Sequence, residues 1–212
     1  MNWYIGIDPS MNSSAITYLS EDLKVIKSSL FILKPLKCYY QTVDIKLVKL
    51  KDTENNEERF YHLSRMIVND IQDKINNLFA KNDKYMIMIE NYSFASKGIV
   101  FDIGEAIGGI KRELYLNQMK FQLIAPSSVK KSFLKGNSSK YELFEEFLKR
   151  VYEDKDIYLV YYNMLSEFFK HKYENLKSVI EVKSPLSDLI DSFLISLYSR
   201  NEFGEKNELS FD

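Results

Sequence analysis

The beginning of the sequence contains three short apolar segments in close succession. Trp3–Ile7, Ser14–Leu19 and Val25–Leu33 each have the length and residue types of a β-strand. Few residues separate them, and Glu21-Asp22 predicts a turn between the second and the third. Because antiparallel neighbours can be joined by connections this short, the sequence predicts an antiparallel meander of three strands.

Helices and strands alternate in the rest of the chain. Apolar residues recur at spacings of three and four between Asn55 and Phe79, which predicts an amphipathic helix. Lys34–Asp52 shows no clear pattern. The remaining predictions are strands over Tyr85–Ile89 and Phe121–Ala125 and helices over Asp102–Asn117, from Ser138 or Ser139 to about Tyr152, and from Ser184-Pro185 to about Arg200, the last with Pro185 at its first helical position.

This order predicts an α/β protein with a five-stranded mixed sheet, three antiparallel strands followed by parallel ones, flanked by helices. No linker rich in Ser and Gly divides the 212 residues, so we expect a single domain over 1–212, with an aromatic-rich insertion at about 155–183. A single cysteine, Cys38, and the lack of a leader or a long apolar run predict a cytoplasmic protein without a membrane span.

Four acidic residues occupy positions at which ligand sites form. Asp8 ends the first predicted strand and Glu90 ends the fourth, and the carboxyl ends of strands are where open α/β sheets bind ligands. Asp188 and Asp191 are three residues apart on the predicted last helix, so they share one face. We therefore predict that these four side chains form one acidic site.

Four carboxylates in one cleft repel each other unless cations neutralise them. Oxygen ligands favour Mg²⁺ or Mn²⁺, whereas a chain with two His and one Cys has few ligands for zinc. Two such ions about 4 Å apart can activate a water and stabilise the leaving oxygen of a phosphodiester. The sequence therefore predicts two-metal phosphodiester hydrolysis with Mg²⁺, for which Mn²⁺ substitutes.

The sequence resembles the RuvC family of Holliday junction resolvases in a phage-like or otherwise diverged form. The matching segments run from end to end of the chain: Tyr4–Ser10, Ile87–Glu90, Asp102–Gly108, Val129-Lys130, Gly136–Lys140 and Ser187–Asp191. The resemblance implies an RNase H-like fold and a metal-dependent endonuclease that resolves Holliday junctions by paired symmetric nicks. It also assigns metal binding to Asp8, Glu90, Asp188 and Asp191.

The same resemblance implies DNA contacts from a locally basic segment and from an aromatic residue after the acid of the fourth strand. We expect Lys130, Lys131 and Lys140 to contact DNA, together with Lys97 and with Tyr92 and Phe94 as the aromatic candidates. Two features depart from the family: a longer spacing between Asp8 and Glu90, and the segment at 155–183.

Several alternatives remain open at this level. An RNase H acting on RNA–DNA hybrids would place a glutamate on the first helix, where Glu57 and Glu58 stand. A broader branched-DNA or flap nuclease fits the same acids. From a different class, an ATP-binding protein of the actin-like fold would use Gly6–Ser10 as a phosphate loop, and a catalytically idle junction-binding module would not need all four acids.

A four-way junction has twofold symmetry, and two symmetric cuts need two active sites with the same symmetry. We therefore expect a homodimer. Small residues on the Asp102–Asn117 helix would permit a close helix approach, and the aromatic residues of 158–173 would supply apolar area for a partner.

Overall fold

We describe the fold from a computed structural model of the chain. It describes residues 1–10, 13–32, 42–50, 55–91, 100–134, 138–153, 156–170, 172, 176 and 182–204. Cys38, Tyr92, Phe94 and Lys97 lie outside the described residues, as do Gly136 and His171.

Six strands form one mixed sheet in the order β4-β3-β2-β1-β5-β6. β2 is antiparallel to β1 and β3, and the pairs β3–β4, β1–β5 and β5–β6 are parallel. The predicted meander and the later parallel strands are confirmed, but the predicted count of five is wrong. The strands are β1 (Asn2–Asp8), β2 (Ser13–Ser20), β3 (Ile26–Ile32), β4 (Ile45–Lys49), β5 (Lys84–Glu90) and β6 (Phe121–Ile124).

The additional strand is β4, an edge strand in the stretch that showed no clear sequence pattern. Its residue Lys46 places Nζ 2.7 Å from Oδ1 of the buried Asp70. The other oxygen of Asp70 accepts a hydrogen bond of 2.8 Å from the Tyr18 hydroxyl on β2. A buried carboxylate is stable only with such partners, so this network ties the edge of the sheet to the first helix.

Six helices are described: α1 (Asn56–Asn77), α2 (Val100–Leu116), α3 (Pro126–Phe133), α4 (Lys140–Tyr152), α5 (Asp156–Phe169) and α6 (Leu186–Gly204). Ser139 caps α4 and forms a capping box with Glu142. This residue is one of the two that the sequence predicted as the cap. α3 and α5 were not predicted. The prediction that Pro185 takes the first helical position is also wrong, because α6 begins at Leu186.

The helices cover both faces of the sheet. Alternate residues of β1 point to opposite faces: Tyr4 belongs to the core under α3, α4, α5 and α6, whereas Trp3 and Ile5 belong to the core under α1 and α2. Each core is continuous and buried, and β1 lies between them. None of the described helices is long and apolar enough to cross a membrane.

The aromatic residues of α5 pack inside the chain. Tyr161 stacks on Phe193 of α6 with 4.2 Å between ring centroids, and its hydroxyl donates a 2.8 Å hydrogen bond to the carbonyl of Leu189. Tyr158 and Phe168 are 5% and 0% exposed. The expectation that the aromatic segment supplies apolar area for a partner subunit is therefore wrong for these side chains.

α6 approaches the sheet closely at Gly6 on β1. A Cβ at this position would lie 2.2 Å from the carbonyl oxygen of Ser192 and 2.5 Å from the amide nitrogen of Ser196. Both are backbone atoms of α6, which cannot turn away as a side chain can. Only glycine therefore permits α6 to lie where it does.

We predict that Gly6→Ala lowers the free energy of unfolding by about 1–3 kcal/mol or more, because α6 must move off β1. The matched control is Gly109→Ala on α2, where the nearest atoms are the Oγ and Cβ of Ser64 at 3.3 and 3.4 Å, and this side chain can shift. We expect the control to stay within about 1 kcal/mol of the wild type. Urea denaturation measures both, and equal stabilities would contradict the close packing at Gly6.

Candidate active site

Three of the four predicted acids line one cavity of about 320 Å³. Asp8 and Glu90 end the parallel neighbours β1 and β5, so the register of the sheet places them side by side at its carboxyl edge. Asp191 reaches the same cavity from α6. The remaining lining residues are Pro9, Asn91, Ile103, Ile107, Pro126, Val129, Lys130, Lys140, Leu143 and Ile195.

The fourth acid, Asp188, is 2% exposed and is not among the residues that line the cavity. Its Oδ2 accepts hydrogen bonds from the hydroxyls of Ser13 and Ser184, the latter at 2.6 Å. Its Oδ1 accepts a hydrogen bond of 3.0 Å from Ser187. The sequence pattern identified the acid but missed these serines, because nothing in the sequence connects Ser13 with a residue 175 positions away.

Burial and mutual repulsion keep protons on the acids of the cavity. Burial raises the pKa of Asp8 well above its usual range, and the negative charges of Glu90, Asp188 and Asp191 raise it further. Burial, reinforced by the charge of Asp191, raises the pKa of Glu90 to about 7. A hydrogen bond with Asp8 opposes this rise.

Lys140 places a positive charge among these acids. Its Nζ lies 3.6 Å from Oδ2 of Asp191 and donates a 3.1 Å hydrogen bond to Oγ of Ser187. Burial lowers the pKa of Lys140, but the surrounding acids, led by Asp191, outweigh burial and raise it. Burial raises the pKa of Asp191 to about 6, although the charge of Lys140 opposes this.

The acids of the site would bind a cation through carboxylate oxygens, which are the ligands that hard divalent cations prefer. Within the described ranges, no group of three or more His, Cys, Asp or Glu side chains is arranged so that it could hold a metal ion as it stands. The raised pKa values of Asp8 and Glu90 reduce the negative charge of the site, and Lys140 beside Asp191 offsets another part. Metal binding would therefore require the release of protons and a shift of these side chains.

The described basic residues that were predicted to contact DNA divide into two groups. Lys130 and Lys140 line the cavity, and Nζ of Lys130 donates a 3.0 Å hydrogen bond to the carbonyl of Ser138. Lys131 lies on the exposed side of α3. Lys97, Tyr92 and Phe94 fall outside the described residues, so their expected DNA contacts remain predictions.

A larger cavity of about 780 Å³ lies between the end of α2 and the start of β6. It is lined by residues from Tyr115 to Gln122 and has no carboxylate in its lining. Of these two cavities, the smaller one has the chemistry of a catalytic site.

The architecture belongs to the RNase H-like class, in which a meander and two parallel strands form a mixed sheet between layers of helices. The chain is similar to RuvC of Thermus thermophilus, with 13% identity, a TM-score of 0.50, and coverage of 96% of this chain and 95% of that one. It is also similar to T. thermophilus RuvC in complex with a Holliday junction substrate, with 11% identity, a TM-score of 0.51, and coverage of 97% and 96%.

No family model matches the sequence, and no curated protein matches it significantly. At identities this low, the structural similarity establishes the fold. The chain therefore has a diverged, RuvC-like version of the RNase H-like fold, which confirms the fold expected from the sequence.

We predict that the protein without divalent ions loses stability as the pH rises from about 4 to 7. Unfolded Asp and Glu ionise near pH 4, whereas Asp191 and Glu90 retain protons in the fold up to pH about 6 and about 7. The folded chain then binds more protons, so the free energy of unfolding falls over this interval, by several kcal/mol at about 1.4 kcal/mol per pKa unit.

Thermal unfolding in EDTA should therefore give a lower Tm at pH 7.5 than at pH 5. Adding Mg²⁺ at pH 7.5 should recover part of the loss, because the ion binds the ionised carboxylates. The double variant Glu90→Gln/Asp191→Asn should have a flatter profile. A wild-type Tm that is the same or higher at pH 7.5 would contradict the raised pKa values.

Proposed function

We propose that the chain is a divalent-metal-dependent endonuclease that cuts branched DNA, with four-way junctions as its principal substrate. The observation that carries this proposal is the cavity at the carboxyl edge of the sheet, where Asp8, Glu90 and Asp191 meet Lys130 and Lys140. Carboxylates that hold cations, set beside lysines that attract phosphate, make up a suitable site for phosphodiester hydrolysis.

The similarity to RuvC supports DNA as the substrate. One of the similar structures holds a Holliday junction, and this chain extends over nearly the full length of that protein. The junction belongs to the Thermus protein, and we assign the same class of substrate to this chain because its cavity has the matching chemistry.

The roles of the residues follow from their placement. Bound Mg²⁺ or Mn²⁺, two ions per site, would activate the attacking water and stabilise the leaving oxygen. Asp8, Glu90 and Asp191 supply carboxylate oxygens from three different elements, and Asp188 adds a fourth negative charge beside them. Lys140 is placed to attract a phosphate at the cavity mouth.

The cavity has an apolar side as well. Ile103 and Ile107 of α2, with Val129 of α3, form part of its wall. Such a wall leaves few sites for water near the carboxylates, which strengthens the electrostatic interactions inside.

The RNase H alternative has less support. Glu57 lies in a separate groove between α1 and α2, with Phe60 and Glu105 among its other lining residues, and not in the cavity with Asp8. The actin-like alternative requires two duplicated halves, whereas the part of the chain that is described forms one six-stranded sheet.

We predict that Asp8→Asn, Glu90→Gln, Asp188→Asn and Asp191→Asn each lower cleavage of a synthetic four-way junction by about 100-fold or more, because each removes a negative charge that binds or attracts the metal. Thermal stability should be unchanged or higher in the cavity variants, because a neutral amide relieves repulsion. Cleavage is measured on gels with Mg²⁺, with Mn²⁺ and with EDTA.

The control is the double variant Glu57→Gln/Glu58→Gln, which changes two exposed acids on α1. It should cut the junction as fast as the wild type. If instead this variant is inactive and the wild type prefers an RNA–DNA hybrid, the RNase H alternative is correct.

We further propose that the chain acts as a homodimer, because paired symmetric nicks need two sites. The exposed face of α2 has a nearly symmetric sequence about Gly108. Phe101 and Tyr115, which are 87% and 78% exposed, each lie seven residues from it, about 10 Å along the helix axis. The exposed Glu105 and Arg112 lie three and four residues from it on opposite sides.

An antiparallel pair of α2 helices related by a twofold axis at Gly108 would match these residues with each other. Glu105 of one copy would face Arg112 of the second, and Phe101 would face Tyr115. A Cβ at Gly108 would have no atom of its own chain within 4 Å, so this position is open to a partner. Gly109, by contrast, faces Ser64 of α1.

We predict that Glu105→Arg and Arg112→Glu each weaken dimerisation by about tenfold or more, because each places like charges opposite each other twice in the dimer. The double variant Glu105→Arg/Arg112→Glu should restore it. Light scattering over a micromolar dilution series provides the measurement. A wild type that is monomeric both alone and on the junction would rule out the dimer and favour a single-cut branched-DNA or flap nuclease.

A further inference from the structure

Two serines from distant parts of the chain meet on a single carboxylate oxygen. Ser13 begins β2 and Ser184 precedes α6, and both hydroxyls contact Oδ2 of Asp188. The two hydroxyl oxygens lie 2.6 Å from each other. We call Ser13 and Ser184 the serine clamp.

The positions of the protons follow from the chemistry of the groups. Two hydroxyls have two protons to share among three short contacts, and a carboxylate oxygen is a stronger acceptor than a hydroxyl. Both protons therefore point to Asp188, and its Oδ2 accepts two hydrogen bonds. With both donors in place, this oxygen has little remaining capacity for another partner.

The other oxygen of Asp188 has a different environment. Its Oδ1 accepts a single hydrogen bond among the contacts seen, the 3.0 Å bond from Ser187. The hydroxyl of Ser187 in turn accepts a hydrogen bond from Nζ of Lys140, which also lies beside Asp191. Oδ1 is thus linked through Ser187 and Lys140 to the charged side of the site, and it accepts fewer hydrogen bonds than Oδ2.

We propose that the serine clamp is a pair of positioning residues that fixes the Asp188 carboxylate with Oδ1 presented to a divalent cation. The inference rests on the proposed metal-dependent function. Hydrogen bonds to a ligating carboxylate hold its orientation, and the loss of such partners typically lowers metal affinity by about 10–100-fold. The clamp also joins β2 to the start of α6, so the acid is held from two elements.

The test measures Mn²⁺ binding by titration calorimetry and the Mn²⁺-induced rise in Tm, for the wild type and for Ser13→Ala/Ser184→Ala. We expect the double variant to bind Mn²⁺ about tenfold more weakly and to show a smaller rise in Tm. Ser184→Thr keeps the hydroxyl and should retain near wild-type binding. The control is Ser196→Ala, a buried serine of α6 whose hydroxyl donates to the carbonyl of Phe193 in its own helix.

The outcomes are distinguishable. Weaker Mn²⁺ binding in Ser13→Ala/Ser184→Ala, with normal binding in Ser184→Thr and Ser196→Ala, supports the clamp. Equal binding in the wild type and the double variant overturns the clamp and leaves the metal-dependent function standing. A folded wild type that binds no Mn²⁺ overturns both. If the double variant does not fold, Ser184→Ala alone takes its place, with the same expected direction and the same refuting result.

Discussion

The contact between the backbone of α6 and β1 at Gly6 is the constraint on which the rest of the structure depends. With no side chain at Gly6, the helix backbone lies directly on the central strand. This contact brings Asp191 to the end of the same strand that carries Asp8. A larger residue at Gly6 would separate the two acids. The absence of a side chain at this position therefore controls the geometry of the charged site.

A row of buried hydroxyl side chains, which we call the polar seam, lies beneath α6 and depends on the same close approach. Oγ1 of Thr17 on β2 lies 2.8 Å from Oγ of Ser192 and 3.0 Å from Oγ of Ser28. The Tyr161 hydroxyl of α5 lies 3.3 Å from Ser28 and donates to the carbonyl of Leu189. Small hydroxyl residues permit short distances between elements and satisfy each other's hydrogen bonds when buried. The seam fixes the position of α6 along the sheet, and hence that of its acids.

Much of the fold was predictable because its signals are local. The meander, the amphipathic α1 and the acids at strand ends appear in short windows of sequence. β4 was not predictable, since its five residues include two lysines and it depends on the Lys46–Asp70 pair. α5 was missed because its exposed side also carries apolar residues, such as Leu159 and Val160, which obscure the helical period. The three hydroxyls on Asp188 depend on contacts across the fold that no local pattern records.

The buried acids of the cavity destabilise the fold, and the same concentration of negative charge suits them to hold a cation. Burial and repulsion raise the pKa values of Asp8, Glu90 and Asp191, so part of their charge is neutralised by protons. Lys140 neutralises another part, yet its side chain is 55% exposed and its Nζ is 3.6 Å from Asp191. A hydrated ammonium at this distance makes only a weak ion pair. Lys140 therefore offsets part of the charge without a strong bond to Asp191, and a divalent cation can compete with it for the carboxylates.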